Sequence, residues 1–380
     1  MKHDPRHAIT ANHMPPVETV LESDLAFHLG SFDSYQFAAI AEACAGKEVP
    51  WGAFVCFNLG MRHFVSGDFY RDHYAITDTT IERRGELGSF KQVRTIETIT
   101  RDFSFFDPSL YYCYDLQDAR HTDYAKLFGT EKSIPVFQYH RRKDLSAIII
   151  PLYVYHEHPS WNIPKLIDQI SFAQKRPKAF WRGDLSGELV SRVGFLGTHA
   201  IANHDRLTED EKIAALRQST RFRICQDHSS DEMVDAGLVI KWGSPEYPAP
   251  IAFLQPLCRP RVSHQDHLYY RYLLALDGYD GPSSWYWMLG TNSLVLRQES
   301  QWEMFGDNYF HPWIHFVPLA LDGSDLTEKL SWCEHHTSEC AKMVDNAHAA
   351  WAVLFDPQLQ IERRRALFAT YNRWAQTAAQ

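Results

Sequence analysis

Short apolar runs broken by polar, glycine-bearing segments dominate the chain. Residues 17–46 repeat apolar positions at helical spacing and predict an amphipathic helical region. Residues 51–57 (WGAFVCF) and 109–116 (SLYYCYDL) are of strand length and rich in β-forming side chains. The stretch 74–101, with YAITDTTIERR, alternates polar and apolar positions and predicts strands joined by a turn. SIPVFQYH (133–140) and SAIIIPLY (146–153) predict two more strands. The Pro- and Trp-rich HEHPSWNIPKL then reads as an inter-domain segment.

The second half is more regular. It predicts strands at 179–181, 221–226, 293–298 and 313–320, and a helix-to-strand unit at 267–278. Thr208 with Glu211 three residues later is a capping box, opening a helix near 209–219. Further helices are predicted over SSWYWMLG, after Ser324-Asp325-Leu326, over 336–355 and over 358–376. Strands alternating with helices predict α/β domains with parallel sheets.

Composition narrows the class. At roughly 150 residues per domain, 380 residues predict two domains. The net charge of −9, with no basic stripe, excludes nucleic acid as the expected partner. The run Arg363-Arg364-Arg365 lies on a predicted helix, as a solvated face or as a peripheral contact with an anionic membrane surface. Seven scattered cysteines without a CxxC predict free thiols in a reducing compartment. The polar N-terminus has no apolar leader and no apolar run approaches 18 residues, so a cytoplasmic location is expected. Aromatics at 14% exceed ordinary core needs and would suit flat carbohydrate platforms, although aromatics mostly fill cores.

Common catalytic signatures are absent: GxSxG, GxxxxGK[ST], HExxH, a clean GxGxxG and Asp-x-Asp. The segment Cys333 to Cys340 offers zinc-ligand types at a spacing that fits no standard zinc pattern. Two other stretches carry chemistry. In KAFWRGDLSG, a strand ends in Arg182-Gly183 and a small polar loop containing Ser186 precedes a predicted helix over 188–195. Strand, glycine turn and helix N-terminus would present N–H groups to an anion. The plainer reading, a surface arginine at a strand end, stays open. In 267–318, a buried strand runs into Asp277-Gly278 and a loop with Gly281, Ser283 and Ser284, before an aromatic helix and a strand that follows Thr291-Asn292-Ser293. Loops at the carboxyl ends of parallel strands bind ligands in α/β folds, but turn glycines alone would look the same.

FWRGDLSG, YRYLLALDGYDGPSSWYWMLGTNSLVL, the W-x-E-x-F of Trp302 to Phe305, HPWIHFVPL and SDL together resemble glycosyltransferase family 90. Its members include lipopolysaccharide-core and capsule enzymes and protein O-glucosyltransferases. The resemblance covers about 175–350 and more weakly 70–155. It implies a GT-B-like α/β fold of two Rossmann-like domains with a donor cleft between them, here 1–165 and 166–355, with 356–380 as a helix packing back on the first. It also implies inverting, metal-independent transfer from a UDP-sugar, with no other cofactor. Arg182, Gly183 and Ser186 would face the donor diphosphate, where a planar cation suits phosphate oxygens. Asp277, Gly278, Ser283 and Ser284 would form the donor loop, with Asn292 and Ser293 at the next strand's start. Glu303 would hold the ribose hydroxyls.

Protein O-glucosyltransferases carry an arginine at the position of Ser284, and the bacterial branch does not, so the chain falls nearer that branch. Arg192 or Lys241 could supply the lost phosphate contact. The resemblance places the general base at Asp118, with Asp115 as the fallback. His121 and His315 are further contact candidates. The expected reaction is transfer of glucose, galactose or xylose to a hydroxyl of a lipopolysaccharide-core or capsular glycan, free or lipid-linked. The alternatives are a protein O-glycosyltransferase and a catalytically inactive sugar-binding or scaffold protein.

Overall fold

The computed structural model describes residues 8–49, 52–118, 121–152 and 167–378. The inter-domain segment HEHPSWNIPKL lies outside them. The protein is mixed α/β with parallel sheets, and its chain divides into two compact units. The first holds residues 15–158, 301–308 and 353–380, and the second 1–14, 159–300 and 309–352.

Strands of the first unit are β1 (Phe54–Asn58), β2 (His63–Ser66), β3 (Tyr74–Ile76), β4 (Ile81–Arg83), β5 (Tyr111–Asp115), β6 (Val136–Gln138), β7 (His140–Arg142) and β8 (Ile148–Ile149). The main sheet runs β2-β1-β5-β6-β8. β1 is antiparallel to β2 and β5, whereas β5, β6 and β8 are parallel. The expectation of strands throughout 74–101 fails after Arg83. Residues Phe90–Asp102 form a helix opened by a capping box of Ser89 and Gln92, and it buries Thr95, Ile96, Thr98 and Ile99 on one face. The core is aromatic: Phe57, Phe106, Tyr112, Tyr114, Phe137, Phe368 and Tyr371 pack together. That accounts for part of the aromatic excess without any carbohydrate platform.

The helix Pro357–Ala378 packs on Val17–Leu29 within this unit. Arg363 is 5% exposed and donates to Asp24 at 2.7 Å and to the carbonyls of Leu354 and Val353. Arg364 lies 3.6 Å from Asp102. Two of the three arginines in the basic run are therefore internal anchors rather than a solvated or membrane-facing stripe.

The second unit contains β9 (Arg176–Gly183), β10 (Glu188–Ser191), β11 (Gly194–Gly197), β12 (Val234–Leu238), β13 (Tyr270–Ala275) and β14 (Leu294–Gln298). After β15 (Trp302–Met304), which belongs to the first unit, comes β16 (Val317–Leu319). The sheet order is β12-β9-β13-β14-β16, parallel throughout. From β9 the chain winds to the edge strand β12, then returns to the other side of β9 as β13. The reversal creates a topological switch point between the carboxyl ends of β9 and β13.

Two expectations fail here. RFRICQ lies in the helix Thr220–Asp227, not a strand. Parallel β9 and β12 need a crossover, and that helix packs on β12 within it. Residues 188–195 form no helix. They belong to the β10–β11 hairpin, whose turn uses Gly194 at φ +119°. The strand–turn–helix anion cradle read after Arg182 is therefore absent.

Candidate active site

In the second unit the carboxyl edge of the sheet brings two loops together. Gly183 ends β9 opposite Leu238 of β12, and residues 184–187 follow it; residues 276–281 follow β13. Their contact is closest at Gly278. A Cβ there would lie 2.6 Å from the Ser186 hydroxyl and 2.9 Å from Arg221 Nη2. Asp277 accepts from the Ser300 hydroxyl at 2.6 Å, and its N–H donates to Gln298.

Arg221 ties the loops. From the first turn of Thr220–Asp227 its guanidinium donates to the Asp184 carbonyl at 2.9 Å, the Ser186 hydroxyl at 2.5 Å and the Leu276 carbonyl at 2.9 Å. It also lies over the Trp181 ring, 5.6 Å from the centroid. Burial pulls its pKa down, and Asp277, Asp184 and Asp280 pull it back. Its Nε is buried without a hydrogen-bond partner among the described residues. Burial in turn raises the Asp184 carboxyl, against the opposing pull of a Leu185 N–H and Arg221.

Beside these loops lies a cavity of about 890 Å³, lined among others by Asp184, Ser186, Lys241, Glu246, Arg259 and Arg261. The lining's three cations against two carboxylates leave it positive, which suits an anionic ligand larger than a single phosphate.

Arg182 is engaged elsewhere. It donates to the Asp235 carbonyl at 2.8 Å and its carboxylate at 2.5 Å, and stacks 4.5 Å from the Phe180 centroid. Thus Ser186, Asp277 and Gly278 meet, and the cation joining them is Arg221. The sequence reading missed Arg221 because RFRIC alternates like a strand. The available signal was Ser219-Thr220 before it, helix-start residues in a segment that must cross between parallel strands.

Ser283 and Ser284 stand at the start of the short helix Ser284–Met288. Asn292 and Ser293 precede β14, at the sheet's amino edge. Asn292 bonds Asp168 and Ile170, and the Ser293 hydroxyl donates to the Tyr270 carbonyl. Arg192 sits on the hairpin turn, paired with Glu211 at 2.7 Å. His315 is buried, its ring bonded to His311 N–H and the Ile9 carbonyl; burial lowers its pKa. Glu303, on β15 in the first unit, pairs with Arg141 at 2.6 Å.

The carboxylates expected to act as base lie in the first unit, Asp115 as the last residue of β5 and Asp118 three residues beyond it. Asp115 is fully buried and accepts from Tyr124 at 3.1 Å. Asp118 is more open, with its side chain 42% exposed. Its Oδ1 accepts from both Lys91 and Tyr139. Burial pushes its carboxyl up, but Lys91, Tyr139 and His140 outweigh that and leave it below the ordinary value. His121 contacts Arg142 at 3.1 Å and the edge of Trp302. Burial and Arg142 lower its pKa.

For metal chemistry, Cys44, Cys56 and Cys113 have sulfurs mutually within 4.8 Å, buried in the first unit's core. His335 and His336, in the Cys333–Cys340 segment, instead bond helix carbonyls. No helix among the described residues is long and apolar enough to cross a membrane.

The carboxyl ends of parallel strands at a topological switch point are where open α/β sheets bind ligands. Residues 219–352, which open at the Arg221 helix and run through the 276–281 loop, match the glycosyl transferase family 90 model. It is similar to the zebrafish (Danio rerio) Protein O-glucosyltransferase 2, 32% identical over 82 residues, covering 22% of this chain and 16% of that one. The O-glucosyltransferase LpsA of Dichelobacter nodosus is 23% identical over 148 residues, 39% of this chain and 44% of that one. The human Protein O-glucosyltransferase 3 is 21% identical over 294 residues, 75% of this chain and 51% of that one. The chain thus spans about half the length of these relatives or less, and they include both a bacterial and two animal proteins.

Proposed function

We propose that the protein is an inverting glycosyltransferase that moves a sugar from a UDP-linked donor to a hydroxyl. The observation that carries the reading is the junction of the 184–187 and 276–281 loops at the switch point, closed by Arg221 and bordered by Lys241, Arg259 and Arg261. Fixed cations and aimed dipoles would offset the charge that develops on departing UDP. Asp118 is the general base that takes the acceptor hydroxyl's proton as that oxygen attacks the anomeric carbon. No step in this scheme requires a metal ion.

Glucose is the first donor sugar to test, because the relatives are named O-glucosyltransferases. Two acceptors are supported equally. The resemblance to the family's bacterial branch favours a lipopolysaccharide-core or capsular glycan, and the relatives named protein O-glucosyltransferases favour a protein hydroxyl. For the glycan acceptor, the proposed place of action is the cytoplasmic face, on a lipid-linked glycan.

The test is incubation with UDP-glucose, UDP-galactose and UDP-xylose against a core oligosaccharide and a serine-bearing peptide, reading product anomeric configuration by NMR. A β-linked product from an α-linked donor supports inversion. An α-linked product contradicts it. UDP binding without transfer to either acceptor favours a sugar-binding protein.

A further inference from the structure

We infer that Lys91 and Tyr139 are positioning residues that clamp one oxygen of Asp118, so that the other is held as the proton acceptor. The inference rests on the reading of Asp118 as the base and adds how that base is aimed.

A carboxylate on a loop can rotate about two side-chain bonds, and each freedom dilutes the one geometry in which it faces an incoming hydroxyl. Asp118 follows the end of β5 by three residues and is itself in neither helix nor strand. What fixes it comes from two rigid neighbours. Lys91 projects from the first turn of the helix Phe90–Asp102, whose start is locked by the Ser89–Gln92 capping box. Tyr139 lies between β6 and β7. Both donate to Oδ1. Lys91 is itself confined, with its side chain 17% exposed and its ammonium 5.3 Å from the Tyr139 centroid. The three groups form one unit, in which ring, ammonium and carboxylate fix one another.

Two donors on Oδ1 occupy that oxygen's favourable lone-pair directions and leave Oδ2 as the more available acceptor. They also keep the carboxylate ionised at pH values where an ordinary aspartate begins to protonate. The charged or titratable neighbours acting on Asp118 are Lys91, Tyr139 and His140. The consequence is a base available well into the acid range and weaker than a free carboxylate. Such a base suits a reaction whose leaving group departs readily, with the proton moving late.

Two readouts on the full-length chain test this. The first follows Asp118 directly, by carboxyl ¹³C NMR titration in the wild type and in Lys91→Met. The Asp118 signal should titrate below the ordinary aspartate range and move up in the variant. The second is UDP release from UDP-glucose, with water as the acceptor. Lys91→Met and Tyr139→Phe should each lower kcat, Lys91→Met by roughly a hundredfold, with UDP affinity unchanged. The acid limb should move to higher pH in Lys91→Met and return towards wild type in Lys91→Arg. An unchanged circular dichroism spectrum and thermal midpoint show that each variant is folded.

The clamp is overturned if Asp118 titrates in the ordinary range and the Lys91 and Tyr139 variants match wild type while Asp118→Asn is inactive. Full activity of Asp118→Asn overturns the base reading, and the clamp's catalytic role with it.

Discussion

Replacing Arg221 by methionine removes the cation that joins the two switch-point loops while keeping a side chain of similar length. Three charge-assisted hydrogen bonds disappear, to the Asp184 carbonyl, the Ser186 hydroxyl and the Leu276 carbonyl. Each such bond contributes about 1.5–3 kcal/mol. They share one side chain and the loops can relax, so the sum overstates the loss. Removing one partner from a buried charged network costs about 3–5 kcal/mol. At about 2–4 °C per kcal/mol for a unit of this size, the thermal midpoint should fall by roughly 6–20 °C. Asp184, Asp277 and Asp280 then lose their common counter-charge, so the deficit should shrink at acid pH as these carboxylates protonate. Circular dichroism melts give the midpoint, and calorimetry gives UDP affinity, expected to weaken about ten- to a hundredfold, or about 1.4–2.8 kcal/mol. Arg221→Lys keeps the charge but not the fork and should fall between. A midpoint within a degree or two of wild type, with unchanged UDP affinity, would refute the assignment of Arg221 as the tie.

Other consequences follow from the same geometry. Gly278→Ala places a Cβ 2.6 Å from the Ser186 hydroxyl and should destabilise by about 1–3 kcal/mol and weaken UDP, measured by urea unfolding and calorimetry. Wild-type behaviour would mean the loops have room. Asp24→Ala strips the buried partner of Arg363 and should cost about 3–5 kcal/mol, whereas the double variant Asp24→Leu with Arg363→Met should recover much of it. Burial lowers His28 to about 4, so the unfolded chain takes up that proton first. Its contribution is complete above about pH 6.5 and is lost as pH falls towards 4, by about 3 kcal/mol. Asp102, pushed up to about 6 by burial, works the other way over about pH 6 to 3.8. Urea unfolding of His28→Gln should therefore show a flatter acid decline than wild type, and an identical slope would exclude His28.

Where local pattern and tertiary context agree, the chain is legible. Thr208 and Glu211 form the capping box their spacing predicts, and the apolar run 293–298 contains β14. The errors fall where pattern and context diverge. RFRIC alternates as a strand would, yet a crossover between parallel strands fixes it as helix. Residues 188–195 lack a helix-breaking proline, but cross-strand pairing of Leu189 with Leu196 and Val190 with Phe195 stabilises a hairpin. The site shows the same division. The loop glycine at 278 is visible as a strand-to-loop residue, although its crowding by the Ser186 hydroxyl and the Arg221 guanidinium is not. The partner of a cation is not visible: Arg182 turns to Asp235 and Arg221 to the loops, a choice set by residues distant in sequence. Nor does spacing reveal that Glu303 belongs to the first unit through β7 and Arg141.

The central claim is a nucleotide-diphosphate site formed by the switch-point loops and independent of metal. A calorimetric titration of the full chain with UDP, with and without EDTA, tests it most directly. Micromolar binding of one equivalent, insensitive to EDTA and weakened in Arg221→Met, is the predicted result. No binding of any uridine nucleotide would contradict the account, and binding abolished by EDTA would contradict its metal-free form.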